Sequence, residues 1–253
     1  MDRDFSAFNA FFDKIYILTL PRLKDRIDQF ARELKGLNYE IIYGVDKEEV
    51  TLDSLKQQGV YSTTGYKEIY KRQSDMNLGM LCCTLGHLKV YETIIANQHK
   101  KVLIFEDDVF PITENLPLFP AITAELPTDW ELFYLGYEGR EGFGWKQKVK
   151  RLYYMTFPFH TSLRLSRAIY SNYYARPLSP HIARAGFHDC LHAYGVTLEC
   201  AKKLVQQQTP VIYNSDNLVS YAIATETIKG YIVRPKLFNQ RSARYEIRSL
   251  TSS

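Results

Sequence analysis

Apolar positions along this chain fall into two kinds of run. Residues 15–20, Ile15-Tyr16-Ile17-Leu18-Thr19-Leu20, are almost continuously apolar and read as a buried strand. Pro21 ends that run. Over 22–35 the apolar residues Leu23, Ile27, Phe30, Ala31 and Leu34 recur at helical spacing, and Gly36 suits the C-terminal cap. Residues 39–45 form a second strand that stops at Asp46. Strand, helix and strand with short connections predict a parallel pair. A polar stretch fills 47–77, and 78–98 is predicted to be a long, mostly apolar helix. Residues 101–105 are a third strand and 130–135 a fourth. Residues 136–145 carry four glycines and read as a loop, whereas 156–187 follows neither period. Further on, 193–196, 210–213 and 228–233 read as strands and 198–207 as a helix, with another helix starting after Asn214-Ser215. No repeat or low-complexity linker interrupts the series, so one α/β domain is expected over 1–253.

Composition removes several classes. With 253 residues, 45% hydrophobic and 24% charged, the chain is neither disordered nor fibrous. No apolar run reaches the roughly 20 residues of a membrane span. The first residues, Met1-Asp2-Arg3-Asp4-Phe5, lack the apolar core of a secretory signal. The cysteines Cys82, Cys83, Cys190 and Cys200 form no CxxC pair, which argues against a zinc ribbon or a thioredoxin-like site and fits a reducing compartment. A cytoplasmic protein is expected.

Charge changes this picture locally. The net charge is only +4, yet 140–184 holds nine basic residues against one acid, Glu141. Such a patch can attract phosphate, anionic lipid or nucleic acid. Its cations alternate with Tyr153, Tyr154, Phe157, Phe159, Tyr170, Tyr173 and Tyr174, rings that stack on sugars or settle at membrane interfaces. No known RNA-binding motif accompanies them, so nucleic acid is not an expected partner.

The chemistry concentrates in three segments. Val102-Leu103-Ile104-Phe105 delivers Glu106, Asp107 and Asp108 at a strand end, where open α/β sheets bind ligands. Strand alternation would send Glu106 and Asp108 to one side and Asp107 to the other. Two neighbouring carboxylates repel unless a cation lies between them, and oxygen ligands suit magnesium, manganese or calcium. Arg22 and Arg26 stand four apart at the start of a helix, a spacing that can hold a diphosphate. His87 sits in an apolar helix upstream of the acids. The plain alternatives are an acidic turn, a solvated helix face and a hydrogen-bonded core histidine.

Taken in order, Thr19-Leu20-Pro21-Arg22 with Arg26, Tyr43-Gly44-Val45-Asp46-Lys47, the 79–87 segment ending in His87, Leu103 to Val109, Ala193-Tyr194 with Ala201-Lys202-Lys203-Leu204, and 210–216 resemble glycosyltransferase family 25. The chain departs from the family pattern at Cys82, Gly86 and Lys47, and 144–184 has no counterpart in it. The resemblance implies a GT-A fold, the Rossmann-like nucleotide-sugar-binding arrangement, with a mostly parallel central sheet flanked by helices. About 1–135 would bind the nucleotide sugar and about 136–253 the acceptor. The implied reaction is inverting transfer of a hexose, galactose from UDP-galactose, to a lipopolysaccharide or lipooligosaccharide glycan or a related glycoconjugate, with Mn2+ or Mg2+. Asp108 would be the direct metal ligand and Glu106 a further ligand or a ribose contact. Thr19, Leu20, Arg22, Arg26, Asp46, His87 and Asp107 would surround the nucleotide. Asp216 is the preferred general base and Asp189 the second candidate. Phe143 and Trp145 are expected to cover the donor sugar as a lid on the glycine-rich loop. A lipid-linked acceptor would bring peripheral association with the inner membrane face. The rival readings are a metal-dependent phosphoesterase or nucleotidyltransferase, and a non-enzymatic module for anionic membrane.

Overall fold

A computed structural model describes residues 3–160 and 165–242. In chain order the elements are α1 (Ser6–Phe11), β1 (Lys14–Thr19), α2 (Lys24–Glu33), β2 (Glu40–Tyr43), α3 (Leu52–Gln57), α4 (Thr63–Tyr70), α5 (Leu78–Asn97), β3 (Lys101–Glu106) and β4 (Val109–Pro111). They continue with α6 (Phe119–Glu125), β5 (Leu132–Glu138), α7 (Trp145–Thr156), α8 (Arg167–Ser171), β6 (Arg176–Pro177), β7 (Ile182–Arg184), β8 (Asp189–Thr197), α9 (Leu198–Gln207), α10 (Ser215–Ala224), β9 (Gly230–Val233) and β10 (Phe238–Gln240). Short 3-10 turns lie at Thr113–Leu118 and Pro158–His160.

One eight-stranded sheet, ordered β2-β1-β3-β8-β5-β9-β7-β6, runs through the molecule. β1 pairs in parallel with β2 and β3, and β5 with β9, while β8 and β7 run against their neighbours. Six of the eight strands therefore point one way, the mostly parallel α/β arrangement that the sequence implied. Both faces are covered, as continuous apolar strands require. Val90, Tyr91 and Ile94 of α5, Ala201 and Leu204 of α9, and Leu218 and Ile223 of α10 fill one side. Phe8 of α1, Phe30 of α2 and Phe119 and Ile122 of α6 fill the other, with the Phe8 and Phe119 rings stacked 3.8 Å apart. A smaller cluster around Leu55, Tyr66, Tyr70 and Leu81 seats α3 and α4 beside the start of α5.

The structure departs from the sequence reading in three places. The polar stretch at 47–77 contains α3 and α4, each capped by the side chain of the residue before it, Thr51 or Ser62. Residues 210–213 make no strand, only a parallel bridge from Val211 to Tyr61. The glycine-rich loop shrinks to 139–144, because β5 runs through Gly136 to Glu138 and α7 opens at Trp145. No helix of the described residues is long and apolar enough to cross a membrane.

Candidate active site

A cavity of about 360 Å³ opens where the C-terminal ends of β1, β2 and β3 meet the first turns of α5 and α10. Thr19, Leu20, Arg22 and Arg26 line it after β1, Glu106, Asp107 and Asp108 after β3, and Asp216 from α10. Alternation would have turned Asp107 away. Instead the strand stops at Glu106, residues 107–108 form a turn, and all three acids reach the cavity.

The three carboxylates have different partners. Asp107 accepts the Thr19 hydroxyl at 2.5 Å and the Arg26 guanidinium at 2.9 Å, which ties α2 to the end of β3. Burial pushes its carboxyl above the usual range, and Thr19 and Arg26 draw it back. Glu106 faces Nε2 of the buried His87 at 3.1 Å. The other His87 nitrogen meets the Tyr194 hydroxyl at 2.8 Å, which in turn contacts the Tyr91 hydroxyl at 2.9 Å. Burial raises the Glu106 carboxyl and the His87 bond opposes that shift. Ligand atoms of Cys83, His87 and Glu106 lie within 4.8 Å of one another. Asp108 is buried: its carbonyl accepts from Arg241 N–H at 3.0 Å and its Oδ2 from Ser242 N–H at 3.4 Å. Its Oδ1 has no hydrogen-bond partner among the described residues. A buried carboxylate oxygen left open beside a cavity needs a cation or water, so Asp108 fits a hard divalent ion.

The basic side is equally organised. Arg22 grips Asp46 through Nε and, at 3.2 Å, through Nη2, and it reaches Glu48 at 3.5 Å. The guanidinium holds the Asp46 carboxyl below its usual range. Asp46 thus stands behind Arg22, and Arg22 itself lines the cavity. His87 likewise stands behind Glu106. Lys47, where the family pattern has glycine, adds a further cation to the wall.

The two candidate bases are separated. Asp216 sits in the first turn of α10 and does not cap it. Its oxygens take the Cys190 N–H at 3.0 Å and the Ser215 hydroxyl at 3.2 Å. Cys190 adopts φ +69°, a strained value for a residue with a side chain, and this kink at the start of β8 presents its N–H to Asp216. Asp189, one residue earlier, faces away into a second cavity of about 890 Å³. There it pairs with Arg140 at 2.5 Å, and the guanidinium lies over the Tyr173 ring. Burial raises the Asp189 carboxyl and Arg140 counters it. Trp145 lines this second cavity and not the first, which sets it beside Asp189 rather than over the three acids. Gly136 is locked into β5, where an added Cβ would lie 2.2 Å from His192 Nε2.

Sequence reasoning missed His192 and Gln240. His192 is fully buried, with its ring facing the Phe238 carbonyl and the Gln240 side chain, and burial pushes the imidazole down to about 4. Gln240 lines the cavity because β10 pairs with β4 directly after Asp108. Arg164, part of the basic segment, lies outside the described residues.

Residues 12–219 match the family model described as glycosyltransferase family 25 (LPS biosynthesis protein). Procollagen galactosyltransferase 2 of Mus musculus is 24% identical over 244 residues, 89% of this chain and 35% of the mouse protein. A protein named inactive glycosyltransferase 25 family member 3, of Homo sapiens, is 27% identical over 132 residues, 49% of this chain and 22% of that protein. The chain thus spans about a third or less of the length of these relatives. Among solved structures, a glycosyltransferase involved in the glycosylation of the major capsid of PBCV-1 aligns over 90% of this chain and 93% of its own at 10% identity, with a TM-score of 0.37.

Proposed function

The chain belongs to glycosyltransferase family 25, and we propose that it transfers galactose from UDP-galactose, with inversion, to a hydroxyl of a lipopolysaccharide or lipooligosaccharide glycan or a related glycoconjugate. The observation that carries this reading is the cavity at the strand ends. It sets the open Asp108 oxygen, the Arg22 and Arg26 guanidiniums and the Asp216 carboxylate around one space. The work is cytoplasmic in this reading, with residues of about 1–135 holding the donor and about 136–253 the acceptor.

Each group then has a task. Arg22, fixed by Asp46, and Arg26, fixed by Asp107, meet the charge of the diphosphate. Asp108, with Glu106 beside it, would hold Mn2+ or Mg2+, which supplies Lewis-acid stabilisation of the leaving diphosphate. Thr19 and Leu20 line the nucleoside side. Asp216 takes the acceptor proton, a step that needs a carboxylate across the cavity from the leaving group. Asp189, its charge already spent on Arg140, orders the neighbouring acceptor groove.

The test is incubation with manganese and a panel of nucleotide sugars, reading the released nucleotide by chromatography. UDP from UDP-galactose, increasing when a glycan acceptor is added, supports the proposal. Pyrophosphate as the product would point to a nucleotidyltransferase. No turnover of any donor, with UDP still bound, would place this chain beside the relatives named inactive.

A further inference from the structure

α7 has two faces, and only one is used by the fold. Gln147, Arg151, Tyr154 and Met155 are half-buried, with the Tyr154 ring 5.4 Å from Tyr170 of α8. At about 100° per residue these four share one side of the helix. Trp145, Val149, Leu152 and Tyr153 cluster on the opposite side, and Phe157 and Phe159 extend the stripe beyond the helix end. Trp145 is 72% exposed, Leu152 64% and Phe159 82%, and no side chain of α7 is fully buried. A contiguous apolar stripe left in water marks an interaction surface.

The charges around the stripe identify its partner. On the same wheel Lys146 and Lys150 flank one edge and Lys148 the other, and residues 145–160 contain no acid. Among the described residues none of these three lysines makes an ion pair. An apolar stripe with Trp, Tyr and Phe, edged by lysines, has the form of a helix lying in a membrane interface. A second copy of the same face would set cation against cation.

We propose that the α7 stripe and the Pro158–His160 turn seat the protein on the surface of an anionic phospholipid bilayer. The rings and Leu152 enter the headgroup boundary while the lysines meet lipid phosphates. The groove beside Asp189 shares Trp145, Val149 and Tyr153 with this face, so its mouth then opens at the bilayer. The inference concerns binding alone and stands apart from the sugar-transfer reading.

The experiment is sedimentation of the full chain with phosphatidylcholine vesicles, with and without phosphatidylglycerol, at low and high salt. Binding to the anionic vesicles only, weakened by salt, is expected. The emission of Trp145 should shift to the blue on binding, since the other tryptophan, Trp130, is already buried. Leu152→Ser with Phe159→Ser should abolish binding, and Lys148→Glu with Lys150→Glu should weaken it at least about tenfold. All these positions are exposed, so melting temperatures should match the parent. No binding to anionic vesicles at low salt would overturn the proposal, as would equal binding to neutral ones or unchanged binding by both variants. Dimers in sedimentation velocity that Leu152→Ser dissolves would overturn it in favour of a second copy.

Discussion

Three adjacent acids with the same chemistry are set to three tasks by their partners. Asp107 is bound by Thr19 and Arg26, one oxygen of Glu106 by His87, and Asp108 keeps one oxygen without a partner among the described residues. Their amide variants should therefore separate. Asp108→Asn should lower transfer about 10²- to 10³-fold, the usual loss when one transition-state charge stabiliser is removed. Its melting temperature should barely move, because among the described residues the side chain makes a single long contact, to Ser242. Asp107→Asn should do the reverse and destabilise by about 1–3 kcal/mol in urea unfolding, since it removes the buried charge that accepts from both the Thr19 hydroxyl and the Arg26 guanidinium. Asp216→Asn separates base from scaffold. The amide oxygen still accepts the Cys190 N–H, so calorimetry should find UDP binding unchanged while transfer falls about 10²- to 10⁴-fold. A matching fall in melting temperature would instead assign Asp216 a structural task.

At the level of elements, the site depends on strands that come from far apart in the chain. β8 enters from the second half and lies between β3 and β5, with its register against β5 shifted around Gly136. That shift leaves room for His192 and brings the Phe238 carbonyl of β10 close by. In Gly136→Ala the new methyl would meet His192 Nε2 at 2.2 Å and the Phe238 carbonyl at 2.8 Å. The expected cost is about 1–3 kcal/mol, a fall of several degrees in calorimetry. Transfer should weaken as well, because β10 carries Gln240 to the cavity. The same dependence explains what was legible in the sequence. β1, α2, α5, β3 and α9 follow one period over enough residues to be read locally, and their ends place Thr19, Arg22, Arg26 and the three acids on one edge. α7 hid because its half-buried face mixes Gln147 and Arg151 with Tyr154 and Met155 while its exposed face is apolar, and its lysines blur the period. β6, β7 and β10 span two or three residues each and exist only through pairing. Asp189 stood as the second candidate after Asp216 because the kink at Cys190 that sends it into the second cavity leaves no mark in composition.

Across the whole molecule, one buried histidine ties together elements that line the two cavities. His188 donates from Nδ1 to the Gly139 carbonyl at 2.8 Å and accepts the Gly186 N–H on Nε2 at 3.0 Å. Its own carbonyl accepts the Ser220 hydroxyl of α10 at 2.6 Å. The residue thus joins the loop before α7, the approach to β8 and the helix that carries Asp216. Both ring nitrogens are occupied in a way that only the neutral ring satisfies, and burial pushes the imidazole down to about 4. In the unfolded chain it titrates near 6.5. Between those values the unfolded state binds a proton that the folded state refuses, so stability falls as pH is lowered. The contribution is whole above about pH 6.5 and declines toward pH 4, amounting to about 2 kcal/mol lost at pH 5. Glu106 and Asp107, with carboxyls raised by burial, act in the opposite direction in acid, which masks the effect in the parent protein alone. His188→Gln removes the titration and leaves those acids in place. Urea unfolding of both proteins at pH 7 and pH 5 should show the parent losing about 2 kcal/mol more than the variant over that interval. Parallel losses in the two proteins would mean that His188 takes up its proton in the folded state, and that the join between the loop, β8 and α10 does not depend on a neutral ring.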